Sequence, residues 1–425
     1  MKKWFEEKFI PIATKIANMR VLLALRDGII LAMPLMIIGS LFIIISDFPI
    51  QAYQDLMLRL FGEGWGDAFV WATVYPATMS IISLIACFGV AKSLAESYEV
   101  DGMPAGVLAI SAYLLVNQFN ADAWGWSADL FGTGYLFVAL IVALAVGWVY
   151  QAIVRKNWVI KLPDSVPPSI SGSFIALIPG FIIVIGALLV KLLFSFTAFG
   201  DLATFIGWAV SAPLTKVGTS LGGVTLTTLV EQILWSFGIH GSNIVSSVME
   251  PVWVNATLEN LAAYQAGTAL PHVVTKSFVE NFLWIGGSGA TLPLVIWLVC
   301  FARSKVGKDI GRLSLAPGLF NINEPVVFGL PVVLNPFLMI PYIGAPVVIA
   351  IFSFLTMKAG IFPAPNGLTV PWTTPYFISG YLATGGKLGG LLLQVINFAL
   401  AFFIWFPFIR AWDRNEAKKE IAEAE

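Results

Sequence analysis

Eight uncharged runs of helix length recur along this chain: Gly28–Ser46, Ala68–Ala91, Gly102–Ala121, Phe131–Val154, Gly172–Val190, Asn281–Ala302, Pro325–Met357 and Leu388–Ile409. A helix needs ~20 apolar residues to cross the hydrocarbon core of a bilayer. Outer-membrane strands would instead alternate in polarity over ~10 residues, and these runs do not alternate. Of the 425 residues, 58% are hydrophobic and only 12% are charged, with a mean hydropathy of +0.84. Soluble domains carry about 25% charged residues. The predicted fold class is therefore an all-α polytopic membrane protein.

Lys and Arg set its orientation, because basic loops stay in the cytoplasm. The amphipathic N-terminal segment "MKKWFEEKFIPIATKIANMR" carries Lys2, Lys3, Lys8, Lys15 and Arg20, with Arg26 following. It reads as an interfacial helix leading into the first span, with no small-residue cleavage site after an apolar core. Arg155, Lys156 and Lys161, the stretch "RSKVGKDIGR" (303–312), and Arg410, Arg414, Lys418 and Lys419 mark further cytoplasmic segments. The alternate loop "NQFNADAWGWSAD" has two Asp and no Lys or Arg, with Trp124 and Trp126 as belt residues. Both termini are thus expected inside the cell, and about ten spans satisfy the parity. Cys87 and Cys300 lie in apolar runs and read as buried small hydrophobes. A net charge of −1 and no long basic tract argue against a nucleic-acid partner.

The chain changes character near residue 200. Up to there the spans look conventional, so residues 1–200 read as a scaffold and oligomer interface. Beyond it, Gly, Pro, Asn, Thr and Trp interrupt nearly every apolar run, and Pro331, Pro336, Pro341 and Pro346 recur every five residues. Proline removes a helix hydrogen bond. Broken helices at membrane depth survive only inside protein or around a wet cavity. Residues 201–425 are therefore the half expected to bind a polar solute. Glycine-rich "GGSGATLPL" and "GTGYLFVAL" read as helix-packing segments.

Glu324, in "GLFNINEPVVFGLPVVLNP", is the only acid between Asp309 and Asp413. Intramembrane carboxylates cost a few kcal/mol and are usually functional, although a structural pairing with Lys358 or Lys387 is the bland alternative. Pro325 places Glu324 at a helix start, where the positive end of the helix favours a carboxylate. Asn321 and Asn323 can bond exposed backbone groups or a ligand. His240, between Gly238 and Gly241, marks a broken helix or hairpin tip. Glu231, Asn243 and Trp372 complete a set of amide, carboxylate, imidazole and indole groups suited to sugar hydroxyls and ring faces. His272, after Pro271, has no evident polar company and reads as structural. No metal cluster, P-loop or dinucleotide fingerprint is present, so no cofactor is expected.

The stretches "WSFGIHGSN", "FNINEPVVFGLPVVLNP" and "VPWTTPYFISGYLATGG" closely resemble the membrane (IIC) component of the phosphoenolpyruvate-dependent sugar phosphotransferase system, in its lactose/cellobiose/diacetylchitobiose branch. The resemblance extends over essentially the whole chain. It implies a homodimer in the bacterial cell membrane, formed through N-terminal spans, and two re-entrant hairpins around one disaccharide in the C-terminal half. It also implies that His240 and Glu324 contact the C6 hydroxyl, which is phosphorylated by a phosphocysteine of a separate IIB protein, itself supplied by IIA. Transferase activity would then exist only together with IIB. With about 15 residues after the last apolar run, no fused IIA or IIB domain is expected. The alternatives are a proton-coupled oligosaccharide symporter using Glu324, and a membrane sensor or scaffold. Proton carriers usually present acidic relays, and this half offers mainly one acid.

Overall fold

Helices form nearly all the regular structure in the computed structural model, which describes residues 19–46, 51–120, 124–132, 135–163, 168–330 and 332–424, with Lys15, Asp122 and Val166. Nearly all of the expected N-terminal amphipathic helix, and Pro331 of the proline series, lie outside the described residues. In chain order the principal helices begin with α1 (Arg20–Ile30), α2 (Met33–Ser46), α3 (Gln51–Phe61), α4 (Ile82–Glu96) and α5 (Gly102–Val116). Next come α6 (Leu136–Arg155), α7 (Leu177–Ser195), α8 (Leu221–Ser236), α9 (Gly241–Gln265) and α10 (Leu292–Phe301). The chain ends with α11 (Lys305–Leu319), α12 (Glu324–Gly329), α13 (Pro336–Lys358), α14 (Ile378–Ala383) and α15 (Leu388–Ala424). Six helical stretches among the described residues are long and apolar enough to cross a membrane: Arg20–Ser46, Asp67–Glu96, Leu136–Arg155, Leu177–Ser195, Pro336–Lys358 and Leu388–Ala422. Helices α5 and α10 are apolar but shorter.

Two of the three apolar runs after residue 200 are not continuous helices. Pro325–Met357 divides where α12 stops at Gly329 and α13 begins at Pro336. Asn335 sets that second start, its Oδ1 accepting from the N–H groups of Phe337 (3.1 Å) and Leu338 (3.4 Å). An asparagine cap followed by proline at the first helical position is a strong start signal. Asn281–Ala302 divides because a wide π turn at Val279–Leu283 gives way to a loop before α10.

The chain forms two units. The first comprises residues 1–42, 64–216 and 246–255; the second comprises 43–63, 217–245 and 256–425. In the first unit α4 packs against α1, α5 and α6, burying Ala86, Cys87, Gly89, Val90 and Ala91. A Cβ on Gly89 would sit 2.8 Å from the Gly28 carbonyl oxygen. Between lipid-soluble helices there is little hydrophobic drive, so close approach of small residues supplies the attraction. Not every span that looks conventional in the sequence is a plain α-helix. Asp67–Glu96 contains a π turn (Asp67–Val74) and a tight turn (Met79–Ile81) around Pro76, which lacks the N–H that would continue the helical ladder.

In the second unit α13 packs against α8 and α15, and α10 against α11 and α15. Two acids on α15 hold the start of α11. Asp413, only 1% exposed, accepts from Arg303 N–H (2.9 Å), Ser304 N–H (3.0 Å) and Ser304 Oγ (2.7 Å). Glu420 accepts from the N–H groups of Lys305 (2.8 Å) and Val306 (3.0 Å). These are the orphan donors of a helix start, and a carboxylate suits the positive end of the helix dipole. Cys87 is buried, whereas Cys300 is exposed, contrary to expectation: it lies on the outer face of α10, beside exposed Phe301.

Candidate functional site

The polar residues singled out in the C-terminal half converge on four irregular segments of the second unit. The first joins α8 to α9 through Gly238 and His240. The second is the loop Trp284–Thr291 before α10. The third is the turn Asn321–Asn323 between α11 and α12, and the fourth is Pro371–Phe377 before α14.

Asn321 ties three of these together. Its backbone is left-handed (φ 63°), a conformation that asparagine tolerates better than most residues. Its Oδ1 accepts from Gly286 N–H (2.9 Å), and its Nδ2 donates to the carbonyls of Trp372 (2.6 Å) and Thr374 (3.2 Å). Asn323 Nδ2 donates to the Ser288 carbonyl (2.6 Å). Both side chains are 4% exposed. Of the two uses open to these asparagines, all four of these bonds serve the first, going to backbone groups. Loop 284–291 must come very close for this. Gly287 has φ 97°, and a Cβ there would lie 2.7 Å from Asn323 Cγ and 2.8 Å from the Asn321 carbonyl oxygen. "GGSGATLPL" is therefore not a helix-packing segment. Its glycines at 286, 287 and 289 and Ala290 all have positive φ, so this backbone leaves the helix and follows the Asn321–Asn323 turn.

Glu231, 3% exposed, braces the other side. Its Oε1 accepts from Ser242 Oγ (2.6 Å) and Ser288 Oγ (3.2 Å), and the Trp284 side chain is a further hydrogen-bonding partner. Trp235 Nε1 donates to Ser242 Oγ (3.2 Å). A Cβ on Gly241 would overlap the Glu231 carbonyl, so only glycine lets the end of α8 and the start of α9 meet there. A buried carboxylate left without such donors would be strongly unfavourable.

His240 and Glu324 stand at the accessible edge of this brace, and both are exposed. His240 caps α9, its Nδ1 accepting from Asn243 N–H (3.3 Å), and its ring lies 4.3 Å from that of Trp235. Glu324 is the first residue of α12, with Asn323 as cap and Pro325 next. Its carboxylate lies within electrostatic reach of His240. Glu324 makes no ion pair among the described residues, and Lys358 instead lies over the Phe354 ring. Asn243 is exposed, and Trp372 is 37% exposed. No group of three His, Cys, Asp or Glu side chains converges to hold a metal among the described residues.

Ser242, Ser288 and Trp284 were not singled out in the sequence. The available signal was the run of glycines inside an apolar segment, which marks a break as readily as a packing stripe. His272 also differs from expectation. Its Nε2 pairs with Glu259, its N–H donates to Asn260 Oδ1 (2.9 Å), and Asn260 Nδ2 donates to the carbonyls of His272 and Pro365 (both 2.7 Å). It has polar company, in a second, partly buried network that joins α9 to the loop before α14.

The family described as "Phosphotransferase system, EIIC" matches residues 26–346. The lichenan permease IIC component of Bacillus subtilis is 43% identical over 98% of this chain and 94% of its own. The cellobiose-specific EIIC component of Geobacillus stearothermophilus is 43% identical over 99% of this chain and 96% of its own. Among solved structures, the transporter ChbC, the IIC component from the N,N'-diacetylchitobiose-specific phosphotransferase system, is 43% identical with a TM-score of 0.93, over 98% of this chain and 99% of its own. With this likeness along its length and six apolar helices of spanning length among the described residues, the chain is a multi-pass membrane protein that belongs to the phosphotransferase system EIIC family.

Proposed function

We propose that this protein carries a β-linked disaccharide of the cellobiose or diacetylchitobiose type across the bacterial cell membrane and presents its C6 hydroxyl for phosphorylation. The donor is a phosphocysteine on a separate IIB protein, itself charged by IIA. The observation that carries this reading is that exposed His240 and Glu324 lie within electrostatic reach of each other at the edge of a buried hydrogen-bonded brace, in a chain whose relatives are named for such sugars. Residues 201–425 act as the substrate half, with about ten spans in the whole chain and two re-entrant hairpins, the Asn321–Glu324 turn forming one tip. Residues 1–200 act as scaffold and homodimer interface, and both termini face the cytoplasm.

Each residue has a chemical role in this reading. The bond from Asn243 N–H makes His240 Nδ1 an acceptor, so a neutral imidazole carries its proton on Nε2 and donates to the sugar. Glu324 is left to accept. As the C6 oxygen attacks phosphorus, the phosphorus–sulfur bond breaks, the cysteine departs as thiolate, and the hydroxyl proton passes to the Glu324 carboxylate. Trp372 offers a partly exposed indole to an apolar ring face of the sugar. Glu231, Asn321 and Asn323 fix the shape of the site through their bonds to serines and backbone. No cofactor enters the scheme.

Uptake into vesicles tests the reading. Phosphorylated cellobiose or diacetylchitobiose should accumulate only when phosphorylated IIB is supplied on the cytoplasmic side. Accumulation of unmodified sugar driven by a pH gradient alone would overturn it.

A further inference from the structure

At one end of the first unit, two arginines share a single tyrosine. Tyr98 lies in the short connection between α4 and α5; Arg20 opens α1 and Arg155 closes α6. Arg20 Cζ lies over the Tyr98 ring at 4.2 Å from its centroid, and Arg155 Cζ at 5.6 Å. Lys156, next in the chain, has its Nζ 5.5 Å from the centroid of Trp158, an indole that is 60% exposed.

Gathering two guanidinium groups on one ring costs Coulomb repulsion, which a counter-charge normally offsets. Neither arginine has a carboxylate partner among the described residues. Glu99 and Asp101, the neighbouring acids, pair with neither; Asp101 instead caps α5 by accepting from Met103 N–H (3.0 Å). Stacking on the ring fixes the planar forks while leaving their N–H donors unused, an arrangement suited to bidentate contact with phosphate oxygens.

The surroundings select the source of the phosphate. The connection carrying Tyr98 ends at Asp101, at most ~11 Å of chain further on. There an open, mainly apolar groove of about 400 Å³ begins, lined by Met103, Val107, Leu108, Gly172 and Ala176. Met103 and Val107 are more than half exposed, on an apolar helix of a membrane protein. An exposed indole, basic groups beside it and an apolar groove within one lipid length match an anionic lipid. We propose that Arg20 and Arg155, held on Tyr98, bind the phosphodiester of an anionic phospholipid, with an acyl chain along the groove between Met103 and Ala176.

The test uses the full-length chain purified in mild detergent. Native mass spectrometry and thermal melting follow titration with dioleoylphosphatidylglycerol, dioleoylphosphatidylcholine or inorganic phosphate. Phosphatidylglycerol should bind and raise the melting temperature, and phosphatidylcholine should not. Each of Arg20→Gln and Arg155→Gln should weaken that binding about fivefold, and Arg155→Lys should recover only part of it, because an ammonium keeps the charge but not the bidentate fork. Equal binding of the two lipids by the wild-type protein would overturn the proposal, and this comparison needs no variant to fold. So would an Arg20→Gln/Arg155→Gln protein that melts normally and keeps its phosphatidylglycerol affinity. Stabilisation by inorganic phosphate with no lipid preference would show a free-anion site and overturn the lipid assignment.

Discussion

Glycine does opposite work in the two units. In the first, Gly28 and Gly89 stay helical and bring α1 against α4, because neither carries a Cβ to hold them apart. In the second, Gly286, Gly287 and Gly289 have positive φ and take the backbone out of the helix toward the Asn321–Asn323 turn. The first use yields dense apolar packing that is indifferent to polar solutes. The second exposes backbone N–H and carbonyl groups, which Asn321, Asn323 and Glu231 then help to order through side-chain bonds. Ordered irregular backbone is what a polar binding site inside a membrane protein needs.

The largest contrast should come from matched glycine substitutions. Gly287→Leu forces a branched side chain into the Asn321–Asn323 contact at positive φ, and sugar binding by calorimetry should fall ~100-fold or more, since a bonded polar site rejects what cannot pair by a wide margin. Gly89→Leu should lower stability by about 1–3 kcal/mol through overpacking, read as a lower melting temperature, while sugar affinity in the folded fraction stays within about twofold. Were Gly89→Leu to abolish binding and Gly287→Leu to spare it, the division of labour would be reversed.

Asn321→Ala comes next. It leaves the Gly286 N–H and two carbonyls without their partner, at about 1–3 kcal/mol for each buried group left unpaired. The expected readout is a loss of stability together with weaker disaccharide binding, because Trp372 and Thr374 lose their anchor.

How much of this was legible differs between the units. The apolar runs that became α2, α6, α7 and α15 could be read directly, because a bilayer demands length and absence of charge and little else. Glu324, His240 and Asn321 also stood out, since each is a polar residue in a setting that penalises it. The partners of Glu231 could not be read, because Ser242 and Ser288 lie 11 and 57 positions away and serine is unremarkable in a membrane helix. The Glu259–His272 pair was hidden for the same reason. The glycine loop was misread because a glycine run states only that no Cβ is tolerated; φ decides between packing and turning, and φ is set by the chain that arrives from elsewhere. Cys300 was misassigned because apolar neighbours in a membrane helix do not distinguish an outward face from an inward one.

Two smaller effects sharpen the comparison further. Asp413→Ala should cost about 1–3 kcal/mol by stripping the buried donors of Arg303 and Ser304, seen as a lower melting temperature; sugar affinity should hold, because the site lies at the other end of α11. Cys300→Ser should change stability by at most ~0.5 kcal/mol, and Cys300 in the native protein should react with a membrane-permeant maleimide while Cys87 does not.

The central claim is that the exposed Glu324, beside His240, accepts the sugar hydroxyl proton, while the buried residues behind the pair only fix its place. Its most direct test is to measure disaccharide affinity and phosphoryl transfer from phosphorylated IIB on the same preparation of Glu324→Gln. Affinity should fall less than about tenfold, since the amide keeps an acceptor oxygen, whereas transfer should fall ~10²- to 10⁴-fold with loss of the base. Transfer at the wild-type rate by a folded, sugar-binding Glu324→Gln protein would contradict the account.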